Sequence, residues 1–334
     1  MAGDSANPIF IHVGFCNTGT TSLQLSFFAK RNDVFFVGEP YGDRGGIFTR
    51  IRSVEDFKLD RKGTLALCER QIFQPSGTRP IVISDEALCD TPQIYFAPFT
   101  LPRDCIAQRL SEFFPNAKII FTIREQTRYI ASMYLRLKHN AAFMDRCAIP
   151  TFGRWFAGML SQVRCHYLQN INFMECIDLY QGIFGRENIC VLPLEVLVAE
   201  GAREFLGRLC DFMQLELRDE HIANFMEPLN TRMSQRKELI SELIVDDRFY
   251  SVLRDASETF GARNFAAFMD GGPKASLSLD TAQVQEVRLR VAAGNSALAR
   301  EYGLDLERYG YLLADDGPSG RATSQATAVM SSDS

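Results

Sequence analysis

The chain has 334 residues, of which 46% are hydrophobic, and a net charge of -5. That length and apolar content can bury a large core, in one domain or two. The acidic balance, with no basic block to neutralise a run of phosphates, excludes nucleic acid as the main partner.

The first segment, IFIHVGFCNTGTTSLQLSFFAK, predicts a strand over Ile9 to Val13, a loop from Gly14 to Gly19, and an amphipathic helix carrying Leu23, Leu25, Phe27 and Phe28. Gly14 and Gly19 have the G-x-x-x-x-G spacing of a phosphate-binding loop, in which backbone N–H groups and a helix N-terminus surround an anion. A nucleotide triphosphatase places Lys after the second Gly, to reach the β- and γ-phosphates; here that slot is Thr20. The loop is therefore expected to hold one phosphate, with hydroxyl donors in place of an ammonium.

VFFVG, residues 34–38, reads as a second strand, and residues 40–75 as a Gly- and Arg-containing excursion suited to an acceptor lid. A third strand at Ile81 to Ile83 ends on Asp85 and Glu86, at the sheet edge where α/β proteins bind ligands. A strand followed by two acids mimics a magnesium-binding element of phosphoryl transfer, but lacks its lysine partner in the loop.

A fourth strand, Lys118 to Ile123, ends at Arg124 and precedes a helix on which Arg128 and Ser132 share a face. A guanidinium at such a place offers a fixed fork of donors to phosphate oxygens. Ile189 to Leu192 forms the fifth strand, with Glu195 just beyond it in a structural role. From about residue 200 the chain is mostly helical; TAQVQEVRLRVAAGNSALAREYGL carries Asn295 and stops near Gly303. LNTRMSQRK supplies Arg232, Arg236 and Lys237 as a late basic loop, and residues 315–334, rich in Ser, Thr, Gly and Ala, are expected to be disordered. Parallel strands with right-handed helical crossovers give an α/β three-layer sandwich around a five-stranded parallel sheet, in one domain spanning residues 1–314.

The nine cysteines are scattered without a C-x-x-C pair or a histidine at zinc spacing, as for reduced thiols. Cys16, inside the loop, has no base tied to it in sequence. His12 alternates with apolar residues and reads as packed, and His139, His166 and His221 belong to no motif. No basic leader precedes a long apolar run and no stretch reaches a membrane span, so a cytoplasmic protein is expected.

VGFCNTGTTSLQ resembles the 5'-phosphosulfate loop, G-x-x-K-[ST]-G-[ST]-[ST], of sulfotransferases that use 3'-phosphoadenosine 5'-phosphosulfate (PAPS), in its bacterial carbohydrate-type form. The chain departs from that pattern at Asn17, where the family usually carries a catalytic Lys. The resemblance implies that Asn17, Thr18, Gly19, Thr20, Thr21 and Ser22 hold the 5'-phosphate. It further implies that Arg124 and Ser132 hold the 3'-phosphate, and that Glu86 deprotonates the acceptor hydroxyl. A sulfuryl group would pass from PAPS to a carbohydrate or small-molecule hydroxyl without a metal, leaving adenosine 3',5'-bisphosphate. A non-catalytic nucleotide binder of the same fold and a P-loop kinase-like phosphotransferase are the alternatives. Asn17 poses the sharpest question, because its amide can donate a hydrogen bond but carries no charge.

Overall fold

The computed structural model describes residues 7–38, 42–89, 101–143, 150–161, 171–226, 234–243 and 247–315. Its centre is a five-stranded, wholly parallel sheet of order β2-β3-β1-β4-β5. The strands are β1 (Ile9–His12), β2 (Phe35–Gly38), β3 (Ile81–Ser84), β4 (Lys118–Ile123) and β5 (Ile189–Pro193), within one or two residues of the sequence expectation. Every residue of β1 and β3 is buried, as befits strands covered on both faces.

Side chains alternate across the sheet with the period of two that a strand imposes. Phe10 meets Phe212 edge-on, His12 lies against Phe28, and Lys118 stacks over Phe212, all on one face. On the other face Phe121 packs edge-on against Tyr180 of the helix Phe173–Phe184. Helices on both faces complete the three-layer α/β sandwich.

Within the expected insertion, the described residues 42–75 carry regular structure. After Gly45 and Gly46, both at positive φ, the helices Ile47–Ser53 and Arg61–Cys68 bury Ile47, Phe48, Ile51 and Cys68. The end of the domain is equally tied down. The helix Thr281–Tyr302 starts with a capping box between Asp280 and Gln283 and stops at Gly303 in the left-handed region. The chain beyond it folds back: the buried Tyr311 hydroxyl donates to Glu195 Oε2 at 2.9 Å, and Asn295 Nδ2 to the Leu312 carbonyl at 2.9 Å. The expected disordered tail lies, apart from Asp315, outside the described residues.

The strand order fixes where a ligand can sit. From β1 the chain crosses towards β2, and from β4 it crosses the opposite way to β5, so the crossovers diverge between β1 and β4. That divergence opens a crevice at the carboxyl ends of the strands. The loop after β1, Glu86 after β3 and Arg124 after β4 all lie at this edge. Among the described residues no helix is long and apolar enough to cross a membrane.

Candidate functional site

The loop is built by close packing. A Cβ on Gly14 would lie 2.1 Å from Thr122 Oγ1 and 2.6 Å from His12 Nε2, so only glycine lets the chain pass here. Two further residues turn it, Asn17 at φ 62° and Gly19 at φ 89°. Asparagine is among the few side chains that tolerate the left-handed region, which a lysine at the same position would occupy at a cost. A helical run begins at once, Leu23 N–H donating to the Gly19 carbonyl at 3.1 Å, so the N-terminal amides of that run face the crevice.

The loop hydroxyls divide. Thr18 is fully buried and turned inward, donating to the Phe15 carbonyl at 2.5 Å and lying 2.7 Å from Thr122 Oγ1. Its hydroxyl holds the loop's shape, which leaves only its backbone for a ligand. Thr21 and Ser22 are half-buried.

Beneath the loop runs a buried polar chain that links three strands. Gln24 Nε2 donates to Ser84 Oγ (3.1 Å), Ser84 lies 2.8 Å from His12 Nδ1, and His12 Nε2 lies 3.2 Å from Thr122 Oγ1. His12 is thus a packed, hydrogen-bonded residue, and burial lowers its pKa from 6.5 to about 3. Because the folded protein refuses a proton that the unfolded chain accepts, the stabilisation is complete above pH 6.5 and declines as pH falls towards 3. The limiting slope is about 1.4 kcal/mol per pH unit. His12→Gln, which takes up no proton, is expected to flatten this limb, read as urea midpoints measured from about pH 6.5 down to about pH 4.

The two acids after β3 take separate roles. Asp85 caps the turn Glu86–Leu88, accepting from Ala87 N–H at 2.9 Å, and is ion-paired with Arg52. Glu86 is half-buried and accepts the hydroxyl proton of Thr20. The carboxylate therefore stands at the phosphate loop itself, against the residue that occupies the lysine slot of a triphosphatase.

Arg124 and a second arginine converge on Asn17. Arg124 Nη1 donates to the Asn17 carbonyl at 3.1 Å, and Arg136 Nη1 to Asn17 Oδ1 at 3.0 Å. The same amide donates from Nδ2 to Met133 Sδ at 2.8 Å. The helix Gln126–Phe143 that presents Met133 and Arg136 is capped by Glu125, which accepts from the N–H groups of Thr127 (2.8 Å) and Arg128 (3.0 Å). Glu195 accepts the N–H of Glu125 at 3.0 Å, so the turn carrying Arg124 is anchored from β5. Burial raises the pKa of Glu195, against the hydrogen bonds from Glu125 and Tyr311.

Arg136 is the residue that sequence reasoning missed. Its signal was the face already marked by Arg128 and Ser132, which the next helical step of four residues reaches. Ser132 is half-buried on that face, while Arg128 is exposed and lies 3.9 Å from Glu125. Of the late basic loop, Arg232 and the side chain of Arg236 lie outside the described residues, and Lys237 pairs with Asp270 at 2.5 Å. His221 is buried beside Arg31, 3.1 Å away, His139 lies 3.2 Å from Asn140 Oδ1, and His166 lies outside the described residues. Cys16 is buried in the core, and burial pushes the thiols of Cys68 and Cys190 up to about 12.

No protein-family model matches the chain, and no curated protein matches it in sequence. Among solved structures it is similar to a sulfotransferase from Alicyclobacillus acidocaldarius, with a TM-score of 0.52 and 15% identity over 91% of this chain and 99% of the other. Lesser likenesses reach a sulfotransferase from Mycobacterium avium (TM-score 0.40, 10% identity, 76% and 77% covered). They also reach a mouse sulfotransferase complexed with PAP (TM-score 0.38, 12% identity, 66% and 63% covered). Over nine-tenths of its length, the chain has the fold of a sulfotransferase.

Proposed function

We propose that this chain is a PAPS-dependent sulfotransferase acting on an acceptor hydroxyl of a carbohydrate or small molecule. The observation that carries the reading is the meeting, at one strand edge, of a single-phosphate loop, a carboxylate and two guanidiniums. The donor set suits the molecule. Loop amides with the Thr21 and Ser22 hydroxyls, joined by Thr20 once its bond to Glu86 is released, match a 5'-phosphate, and Arg124 with Ser132 a 3'-phosphate.

When bound, PAPS supplies a sulfuryl group whose S–O bond to the 5'-phosphate breaks as the acceptor oxygen bonds to sulfur. The protein's part is to take the acceptor's proton on Glu86 and to hold the phosphate oxygen that gains negative charge. Loss of the Thr20 bond as the acceptor arrives would free the Glu86 carboxylate for that proton. A kinase-like reading lacks the lysine that reaches the β- and γ-phosphates, since Thr20 stands in its place and is bonded to Glu86.

The test is transfer of radiolabelled sulfate from PAPS to a panel of sugars, phenols and simple alcohols. A sulfated product supports the reading, and the absence of both transfer and bisphosphate binding refutes it. Glu86→Gln keeps an acceptor for the Thr20 hydroxyl but cannot take a proton. It is expected to lower turnover by about 10²–10⁴-fold while leaving the affinity for adenosine 3',5'-bisphosphate within about twofold. A matching loss of nucleotide binding would instead make Glu86 a loop-holding residue.

A further inference from the structure

The loop has no lysine, yet it is not without a cation. Asn17 is bound at both ends of its amide, with Nδ2 on Met133 Sδ and Oδ1 on a guanidinium N–H of Arg136. This assignment is enforced chemically, since a flipped amide would set its NH₂ against the guanidinium, donor against donor. Asn17 therefore keeps one amide N–H for a ligand, and no charge. Arg136 has much left: a guanidinium carries five N–H donors, and the bond to Asn17 uses one.

We propose that Asn17 and Arg136 together replace the single lysine of the loop, Asn17 acting as a bracket and Arg136 supplying the positive charge that faces the 5'-phosphate. The inference rests on the sulfotransferase reading and concerns its 5'-phosphate site. Backbone geometry explains the division of labour. Position 17 lies at φ 62°, where asparagine is tolerated and a long side chain pays for the turn. Arg136 comes from a regular helix, at the residue four beyond Ser132, and pays nothing of the kind. Its side chain is exposed, so its remaining N–H donors are open to an arriving anion while Nη1 stays on Asn17 Oδ1. The asparagine is thus part of a working anion site, and the missing lysine is not a sign of a disabled one.

The experiment is calorimetric titration with adenosine 3',5'-bisphosphate and, separately, adenosine 3'-monophosphate, which lacks the 5'-phosphate. Arg136→Ala is expected to weaken bisphosphate binding about tenfold, the loss of one charge-assisted contact, and to leave the monophosphate unchanged. Arg136→Lys should recover part of the affinity, because it restores charge without the fork. Asn17→Lys should recover affinity in the Arg136→Ala background but bring no gain in the native one, where two cations would crowd the same place. Equal weakening of both nucleotides by Arg136→Ala, or of neither, overturns the proposal, with the melting temperature showing that the variant is folded. A wild-type protein that binds neither nucleotide overturns the sulfotransferase reading along with it. Bisphosphate binding that is indifferent to Arg136 overturns this proposal alone.

Discussion

Arg124→Ala is expected to lower the affinity for adenosine 3',5'-bisphosphate about a hundredfold. The guanidinium leaves β4 at the divergence of the crossovers and is half-buried there, with Nη1 on the Asn17 carbonyl. Truncation removes two kinds of support, the fork offered to phosphate oxygens and the donor that pins the loop at its left-handed residue. The fork accounts for the hundredfold: two charge-assisted hydrogen bonds to the proposed 3'-phosphate at about 1.5 kcal/mol or more each total about 3 kcal/mol, while the bond to the Asn17 carbonyl, present without ligand, acts only through the shape of the loop. Arg124→Lys should recover little, since an ammonium cannot serve both the carbonyl and a phosphate in a fixed plane. Calorimetry on the three proteins checks this, and an unchanged affinity in Arg124→Ala would remove the arginine from the nucleotide site.

Gly14→Ala is expected to cost about 3 kcal/mol of stability and to abolish nucleotide binding. The added methyl would meet Thr122 Oγ1 at 2.1 Å and His12 Nε2 at 2.6 Å. Those two side chains are buried, bonded to each other, and continuous with Thr18 and Ser84, so neither can swing aside without leaving a polar atom unpaired. For a chain of 334 residues the loss corresponds to a fall in melting temperature of about 4 °C. Gly207→Ala is the control. It lies within the helix Ala202–Met213 with nothing within 4 Å of the added carbon, and should stabilise by about 0.5–1 kcal/mol. A Gly14→Ala protein as stable as Gly207→Ala would show that the loop relaxes where the packing says it cannot.

Much of the fold was readable because parallel strands covered on both faces are short continuous apolar runs, and all five stood out as such between helical patterns. Local spacing set the loop, Glu86 and Arg124 at strand ends, and the resemblance to the sulfotransferase pattern singled out Ser132. Arg136, one helical step beyond Ser132, lay on the marked face but was not singled out, because what that face meets is set by how the 18-residue helix packs. The partners of His12 were equally hidden. Ser84 and Thr122 lie 72 and 110 residues away, and only the sheet order brings them together. Thr18 shows the limit of motif reading: its position in the loop suggests a ligand hydroxyl, while the backbone turn at Asn17 accompanies a side chain pointing to Phe15 and Thr122. The helices within residues 40–75 were masked by the glycine pair at 45 and 46, which bends the chain immediately before the first of them.

The β1 loop and the β4 arginine are proposed to form a site for a nucleotide with separate 3'- and 5'-phosphates. The most direct test is titration of the purified wild-type protein with adenosine 3',5'-bisphosphate beside ADP and magnesium ATP. The account predicts that the bisphosphate binds at least about tenfold more tightly than either, because only it presents a phosphate to each end of the site. Preference for ADP or magnesium ATP would contradict the account and make the protein a phosphotransferase.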